Sequence, residues 1–197
     1  MTVAFPNGAA VILAAGASTR FGSDKRFTHL DGIPMLSRVV ARYCGVFQRV
    51  VVVLRPNDPA RTLVEGSEAW ITISPMAGLG ISQSIRAGVE SVEDRNWVLL
   101  AHGDMPFVGS SALSLLGSAL DDSHGPSIVR PSFNDEIGNP VGFTREFFPK
   151  LVCLKGDSGA RQLLQELELP VHVVKVEDEG VLRDVDTPEQ LESLPVA

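Results

Sequence analysis

Short apolar runs rich in β-branched residues recur along the chain at Ala10–Leu13, Val50–Leu54, Trp70–Ile73, Trp97–Ala101, Ser127–Val129 and Val171–Val176, each bounded by Pro, Gly, Asn or a charged residue. Continuous rather than alternating hydrophobicity predicts strands buried on both faces, as in a parallel sheet covered by helices. Between these runs apolar residues return at helical spacing. The stripes are Leu36, Val39, Val40, Tyr43 and Phe47; Ile81, Ile85, Val89 and Val92; Leu113, Leu116 and Leu120; and Ala160, Leu163, Leu164 and Leu167. Asp157 and Ser158, just ahead of the last stripe, suit the exposed amides of a helix N-terminus. Leu182–Asp186 reads as another strand ending in acids, with Thr187-Pro188 opening a helix. Alternating strands and helices predict right-handed βαβ units, hence an α/β protein: a three-layer α/β/α sandwich on a mostly parallel, Rossmann-like sheet. Ligands of such sheets lie beyond the carboxyl ends of the strands, which places candidate chemistry in the segments that follow them.

The 197 residues suit a single domain spanning 1–197. With 44% apolar and 21% charged residues, the composition excludes a disordered or collagen-like chain. Seventeen basic against twenty-four acidic side chains leave a net charge of −7, which removes any generic attraction to nucleic acid or an anionic membrane. A phosphate must therefore be gripped locally. Cys44 and Cys153 lie far apart with no Cys/His cluster, which excludes a disulfide framework and a zinc site and leaves two reduced thiols. The N-terminal MTVAFPNG lacks basic residues and the run Ala9–Ala15 is too short to span a bilayer, so a cytoplasmic address with no membrane contact is expected. His29, His102, His124 and His172 share no ligand spacing and read as surface or supporting residues.

The first strand runs into LAAGASTRFGSDKRF, residues 13–27, which holds Gly16, Gly22, Arg20 and Lys25. Small residues let backbone N–H groups approach an oxyanion, and two cations supply charge that the acidic whole lacks. Neither GxxxxGK[ST] nor GxGxxG is present, and the next helical stripe begins only near Met35, so this is a long loop rather than a strand–turn–helix. A solvated surface loop is the competing reading.

Asp104 follows a buried strand in LLAHGDMPF, where Pro106 stops continuation, and faces either the ligand crevice or a helix cap, a task Ser110 and Ser111 can also perform. Asp186 is either a helix N-cap or a metal ligand. Two strand-end carboxylates opposite a cationic glycine loop suit Mg²⁺, which takes its other ligands from water and substrate phosphates. In GLGISQS, Gly78 and Gly80 permit close approach of a base or ribose, and Ser82 and Ser84 offer hydroxyls; a plain turn and helix start is equally compatible. The glycine loops 138–143 (GNPVGF) and 156–161 (GDSGAR) can hold a second substrate.

Taken in order, LAAGASTRFGSDK, LLAHGDMPFV, GLGISQSIRAG, GNPVGF, KGDSGAR and DVDTPEQL resemble the MobA-like nucleotidyltransferases, and within them the molybdenum cofactor cytidylyltransferases. The six motifs span Val11 to Leu191. The resemblance implies a nucleotide-diphospho-sugar transferase type of fold and transfer of CMP from CTP to molybdopterin, releasing pyrophosphate. It implies that Leu13, Ala14, Ala15, Gly16, Arg20 and Lys25 hold the triphosphate, with Arg20, Lys25 and Asp104 central to catalysis. Asp104 and Asp186 would bind Mg²⁺, or Mn²⁺ in its place. Gly78, Gly80, Ser82 and Ser84 would contact the nucleotide, and Asn139, Pro140, Asp157 and Arg161 the pterin. Ala15 in LAAG goes with cytidylyl transfer, whereas guanylyl transferases tend to carry LAGG. A recipient molybdoenzyme or its chaperone is an expected transient partner. Three features depart from the pattern: Arg26 where an apolar residue is expected, the Thr28-His29 that follows, and Asn139 where relatives often have histidine. The rivals are guanylyl transfer to the same acceptor, transfer to a sugar or alditol phosphate, and a non-catalytic pterin carrier. Phosphoryl transfer to an acceptor phosphate that is already anionic needs neither a side-chain nucleophile nor a general base.

Overall fold

A computed structural model of the chain describes residues 5–16, 21–157, 159–160, 163 and 171–187. Along them run β1 (Gly8–Leu13), the short β2 (His29–Leu30) and β3 (Ile33–Pro34), α1 (Met35–Cys44), β4 (Val50–Leu54) and β5 (Trp70–Ile73). Then follow α2 (Ile81–Glu90), β6 (Trp97–His102), α3 (Ser110–Asp121), β7 (Ile128–Phe133), β8 (Glu136–Ile137), β9 (Val141–Thr144), α4 (Phe148–Val152) and β10 (Val171–Lys175). The main sheet has the order β10-β7-β9-β6-β1-β4-β5, with β8 paired to β7, while β2 and β3 form a separate antiparallel pair. It is mostly parallel, as the apolar runs predict; β9 alone crosses it antiparallel to both β6 and β7, and β8 is a short antiparallel addition.

The continuous runs of the interior strands β1, β4 and β6 exist because both faces are covered; β5 and β10, at the two edges, are not buried on both faces as their runs predict, because each has a neighbour on one side only and Trp70 stands exposed. On β1, Ala10 and Ile12 join one core with Leu36, Val39, Leu113 and Leu116 from α1 and α3. Ala9 and Val11 join the opposite core with Ile85 and Val89 of α2 and Leu151 of α4. Each fully buried Leu, Ile or Val contributes on the order of 1.5–3 kcal/mol, so alternate residues of one strand stabilise two layers at once.

Two expectations need correction. The GNPVGF segment is not simply a polar loop, since Val141–Thr144 is a buried strand inserted between β6 and β7. Its brevity and glycine hide it; Gly142 leaves room for the Leu120 side chain of α3, which a Cβ at 142 would meet at 2.6 Å and have to displace. Residues 183–186 are not a strand: a 3₁₀ turn at Glu179–Leu182 precedes them, and Val185 is buried with its N–H on the Asp104 carbonyl at 2.9 Å. Asp157 also has a partner that the sequence did not suggest: its carboxylate accepts from Ile81 N–H at the start of α2, 3.3 Å away. Of that stripe, Leu164 and Leu167 lie outside the described residues, as do Ser158 and Pro188. Among the described residues no helix is long and apolar enough to cross a membrane.

β1 lies inside the sheet between β4 and β6, with Leu13 in register with Val53 on one side and His102 on the other. The chain leaves β1 toward β4 and later returns on the other flank at β6, so the carboxyl end of β1 is where the strand order reverses and a crevice opens.

Candidate active site

Past β1 the backbone stays tied to its neighbours: Ala14 N–H donates to the Val53 carbonyl at 3.1 Å, and Gly103 N–H to the Leu13 carbonyl at 3.0 Å. Farther along the loop, Asp24 accepts from Arg26 N–H and caps a 3₁₀ turn at Lys25–Phe27. That turn delivers Lys25 to the acids. Its Nζ donates to Asp104 Oδ2 at 2.7 Å, to Asp186 Oδ1 at 2.8 Å and to the Val185 carbonyl at 3.0 Å. Three acceptors match the three protons of an ammonium. Burial by itself would lower the Lys25 pKa, but the Asp104 and Asp186 carboxylates outweigh it and hold the pKa above the usual lysine value.

Arg26, the departure from pattern, is almost fully buried. It forks onto Asp24 through Nε (2.8 Å) and Nη2 (2.6 Å), onto Asp58 through Nη1 and Nη2 (both 2.8 Å), and onto the Ala14 carbonyl through Nη1 (2.6 Å). Arginine suits the position because a planar guanidinium can satisfy two bidentate carboxylates where lysine cannot. The Arg26 side chain depresses the Asp24 pKa, and it does the same for Asp58 against that residue's burial. The two ends of the cationic loop are thereby stapled together, and to the turn after β4.

Two adjoining cavities lie beyond the sheet edge. One, of about 410 Å³, is lined by Leu13, Ala15, Gly16, Gly78, Gly80, Ser84, Asp104 and Asp157, all anticipated from the sequence, together with Arg55, Ala77, Ile81 and His102. The other, of about 310 Å³, includes Asn139 and Asp157 with Arg130, Val141 and Leu100. Leu13, Ile81, His102 and Asp157 line both. The two glycine loops interlock: Gly80 has φ +118°, and a Cβ there would stand 2.5 Å from the Gly156 carbonyl. Only glycine fits, and the close approach sets Asp157 against α2.

Other anticipated residues sit elsewhere. Ala14 is buried, and Ser82 is buried outside both linings, its hydroxyl without a partner among the described residues. Pro140, joined to Asn139 by a cis peptide bond, is buried and lines neither cavity. Arg20 and Arg161 lie outside the described residues. His102 is no mere surface residue, since it lines the junction of the cavities. Arg55 and Arg130 carried no motif; Arg55 stood in the segment after a strand, and that placement alone could have flagged it. Cys44 and Cys153 are free thiols, with Cys44 pushed up to about 11 by burial and the nearby Glu68 charge.

Among the described residues no group of three or more His, Cys, Asp and Glu is placed to hold a metal. Asp104 and Asp186 nevertheless converge on one cation, the Lys25 ammonium, and two hard carboxylates that share a cation fit Mg²⁺ or Mn²⁺ completed by water and phosphate oxygens.

A paired cavity at the switch point of a mostly parallel sheet, where the glycine loop brings Lys25 onto Asp104 and Asp186, is the arrangement of a ligand-binding α/β enzyme. The chain belongs to the family of the MobA-like NTP transferase domain, whose model matches residues 10–172. It is a nucleotidyltransferase. Purine catabolism protein PucB of Bacillus subtilis (strain 168) is 30% identical over 91% of this chain and 92% of its own length. A probable molybdenum cofactor guanylyltransferase of Natronomonas pharaonis is 28% identical over 92% of this chain and 94% of its own. Rv0371c of Mycobacterium tuberculosis H37Rv superposes with a TM-score of 0.74 at 25% identity, covering 93% of this chain and 95% of that one. Its manganese complex superposes with a TM-score of 0.71 at 24% identity, covering 94% and 96%.

Proposed function

We propose that this protein, acting as a single domain, moves CMP from CTP to molybdopterin and releases pyrophosphate. The observation that carries the reading is the meeting of Lys25, Asp104 and Asp186 beside two cavities that share a wall: a donor nucleotide fits the larger and an acceptor phosphate can enter from the smaller. In-line transfer leaves the protein little covalent work, so positioning and charge dominate. Asp104 and Asp186 would hold a divalent cation, which when bound neutralises charge on the reacting phosphates. The Lys25 ammonium would turn to the departing pyrophosphate, with Arg20 beside it, and stabilise charge that develops only as the bond breaks. The Ala15–Gly16 backbone approaches the phosphates, while His102 and Asp157 separate donor from acceptor.

Guanylyl transfer is the second reading, favoured by the name of the Natronomonas pharaonis relative. Pyrophosphate release measured with each of the four ribonucleoside triphosphates, with and without molybdopterin, tests both. Release that requires CTP and molybdopterin supports the first reading. Release with GTP supports the second, and release that ignores molybdopterin removes the acceptor assignment.

A further inference from the structure

Resting on the nucleotide reading above and extending it to the base, we propose that Arg55 reads the nucleobase, selecting one that presents two adjacent hydrogen-bond acceptors. Arg55 is the first residue beyond β4 and lines the larger cavity. Its backbone N–H and its Nε both donate to Asp58 Oδ2 at 3.3 Å. Among the described residues Nη1 and Nη2 meet no protein acceptor, so the outer edge of the guanidinium keeps its donors for a ligand.

The direction of that edge is preset. Asp58, with a side chain only 1% exposed, also accepts from both Nη atoms of Arg26 at 2.8 Å and from Ala60 N–H at 3.1 Å. Arg26 is itself held by Asp24 and the Ala14 carbonyl. Asp58 and Arg26 are therefore positioning residues for Arg55. A donor pair aimed before binding loses less side-chain entropy on contact.

Place in the fold separates base from phosphate. β4, β1 and β6 are adjacent and in register through Val53, Leu13 and His102, so Arg55 and Asp104 stand beyond the same sheet edge two strand spacings apart, roughly 10 Å. With the reacting phosphate at Asp104, the opposite end of the cavity receives the base over Gly78 and Gly80. A guanidinium edge offers parallel donors and no acceptor. Guanine matches it with O6 and N7, and cytosine with O2 and N3. Adenine sets an amino donor beside N7, and uracil sets N3–H between its carbonyls, so neither offers a matching pair.

The test is calorimetric affinity for CTP, GTP, ATP and UTP in the presence of Mg²⁺, on the wild type and on Arg55→Met and Asp58→Asn. Arg55 is partly exposed, so its replacement leaves the fold intact. The wild type should prefer CTP or GTP over ATP and UTP by tenfold or more. Arg55→Met should weaken that preferred nucleotide about 10- to 100-fold while ATP and UTP change less than twofold. Asp58→Asn should give a smaller loss with the same base dependence; wild-type selectivity in that variant overturns its positioning role. An equal loss for all four nucleotides would make Arg55 a phosphate contact, and unchanged affinities would remove it from the site. Either result overturns the proposal while leaving the nucleotide reading intact. A wild type that binds no triphosphate overturns both.

Discussion

The Lys25 ammonium bridges the Asp104 and Asp186 carboxylates, 2.7 Å from one and 2.8 Å from the other, although 79 and 161 residues of sequence separate them. A monovalent side-chain cation thus occupies the place between two acids where a divalent ion fits. In the proposed reaction the three would part, with Lys25 turning to phosphate and the acids to metal.

Replacement of Asp104 by alanine is expected to lower transfer by at least about 100-fold with little change in melting temperature, since a strand-end carboxylate facing a cavity does little packing. Asp186→Ala should be similar and milder. Turnover near the wild-type rate in saturating Mg²⁺ would remove Asp104 from the chemistry, and a collapsed melting temperature would make it structural.

Lys25→Met should depress kcat more than it raises KM, because the lost contact tightens as pyrophosphate departs. With no nucleotide present, the same variant should bind Mn²⁺ more tightly than the wild type by electron paramagnetic resonance titration, since its acids have lost their internal cation. The Lys25 pKa is raised in the folded state, so its stabilisation is complete below the unfolded lysine value of about 10.4 and is lost as pH rises through the folded one. The alkaline decline in stability should therefore be shallower in Lys25→Met.

Arg26→Leu, which puts an apolar residue there, should destabilise by about 3–5 kcal/mol in urea because it strands Asp58 without its buried partner. Arg26→Lys should recover part of this, through charge without the double fork. The Asp24 and Asp58 pKa values are lowered, so their contribution is present above the unfolded value of about 3.9 and is lost as pH falls through the folded ones. Asp58→Asn should flatten the acid limb of stability below about pH 4.

Gly80→Ala should weaken nucleotide binding and lower stability together, by about 1–3 kcal/mol or more, since it meets both a positive φ and the Gly156 carbonyl. Titration of nucleotide alongside urea unfolding checks it; a stable variant of wild-type affinity would show that the loops need not interlock.

Ala15→Gly should relax discrimination between CTP and GTP in direct competition without inverting it. One methyl group is worth only about 1–3 kcal/mol, so hydrogen bonds must supply the rest. Complete inversion would place specificity in the loop backbone alone.

Sequence by itself determined the layered architecture and the address of the chemistry. Runs such as Val50–Leu54 read as strands because both faces of a central strand are apolar, a purely local signature. LAAG, Asp104 and GLG are legible because each follows such a run. Val141–Thr144 escaped notice because four residues containing Gly142 look like a loop until Leu120 fills the space above them. Tertiary structure alone decided that Asp157 would meet Ile81, that Arg26 would bury itself between Asp24 and Asp58, and that Asp58 would aim Arg55. Arg26 and Asp58 lie 32 residues apart and Asp157 lies 76 from Ile81. No local period records such pairings, because they become favourable only once the sheet has brought separate loops to one edge and water has been excluded between them.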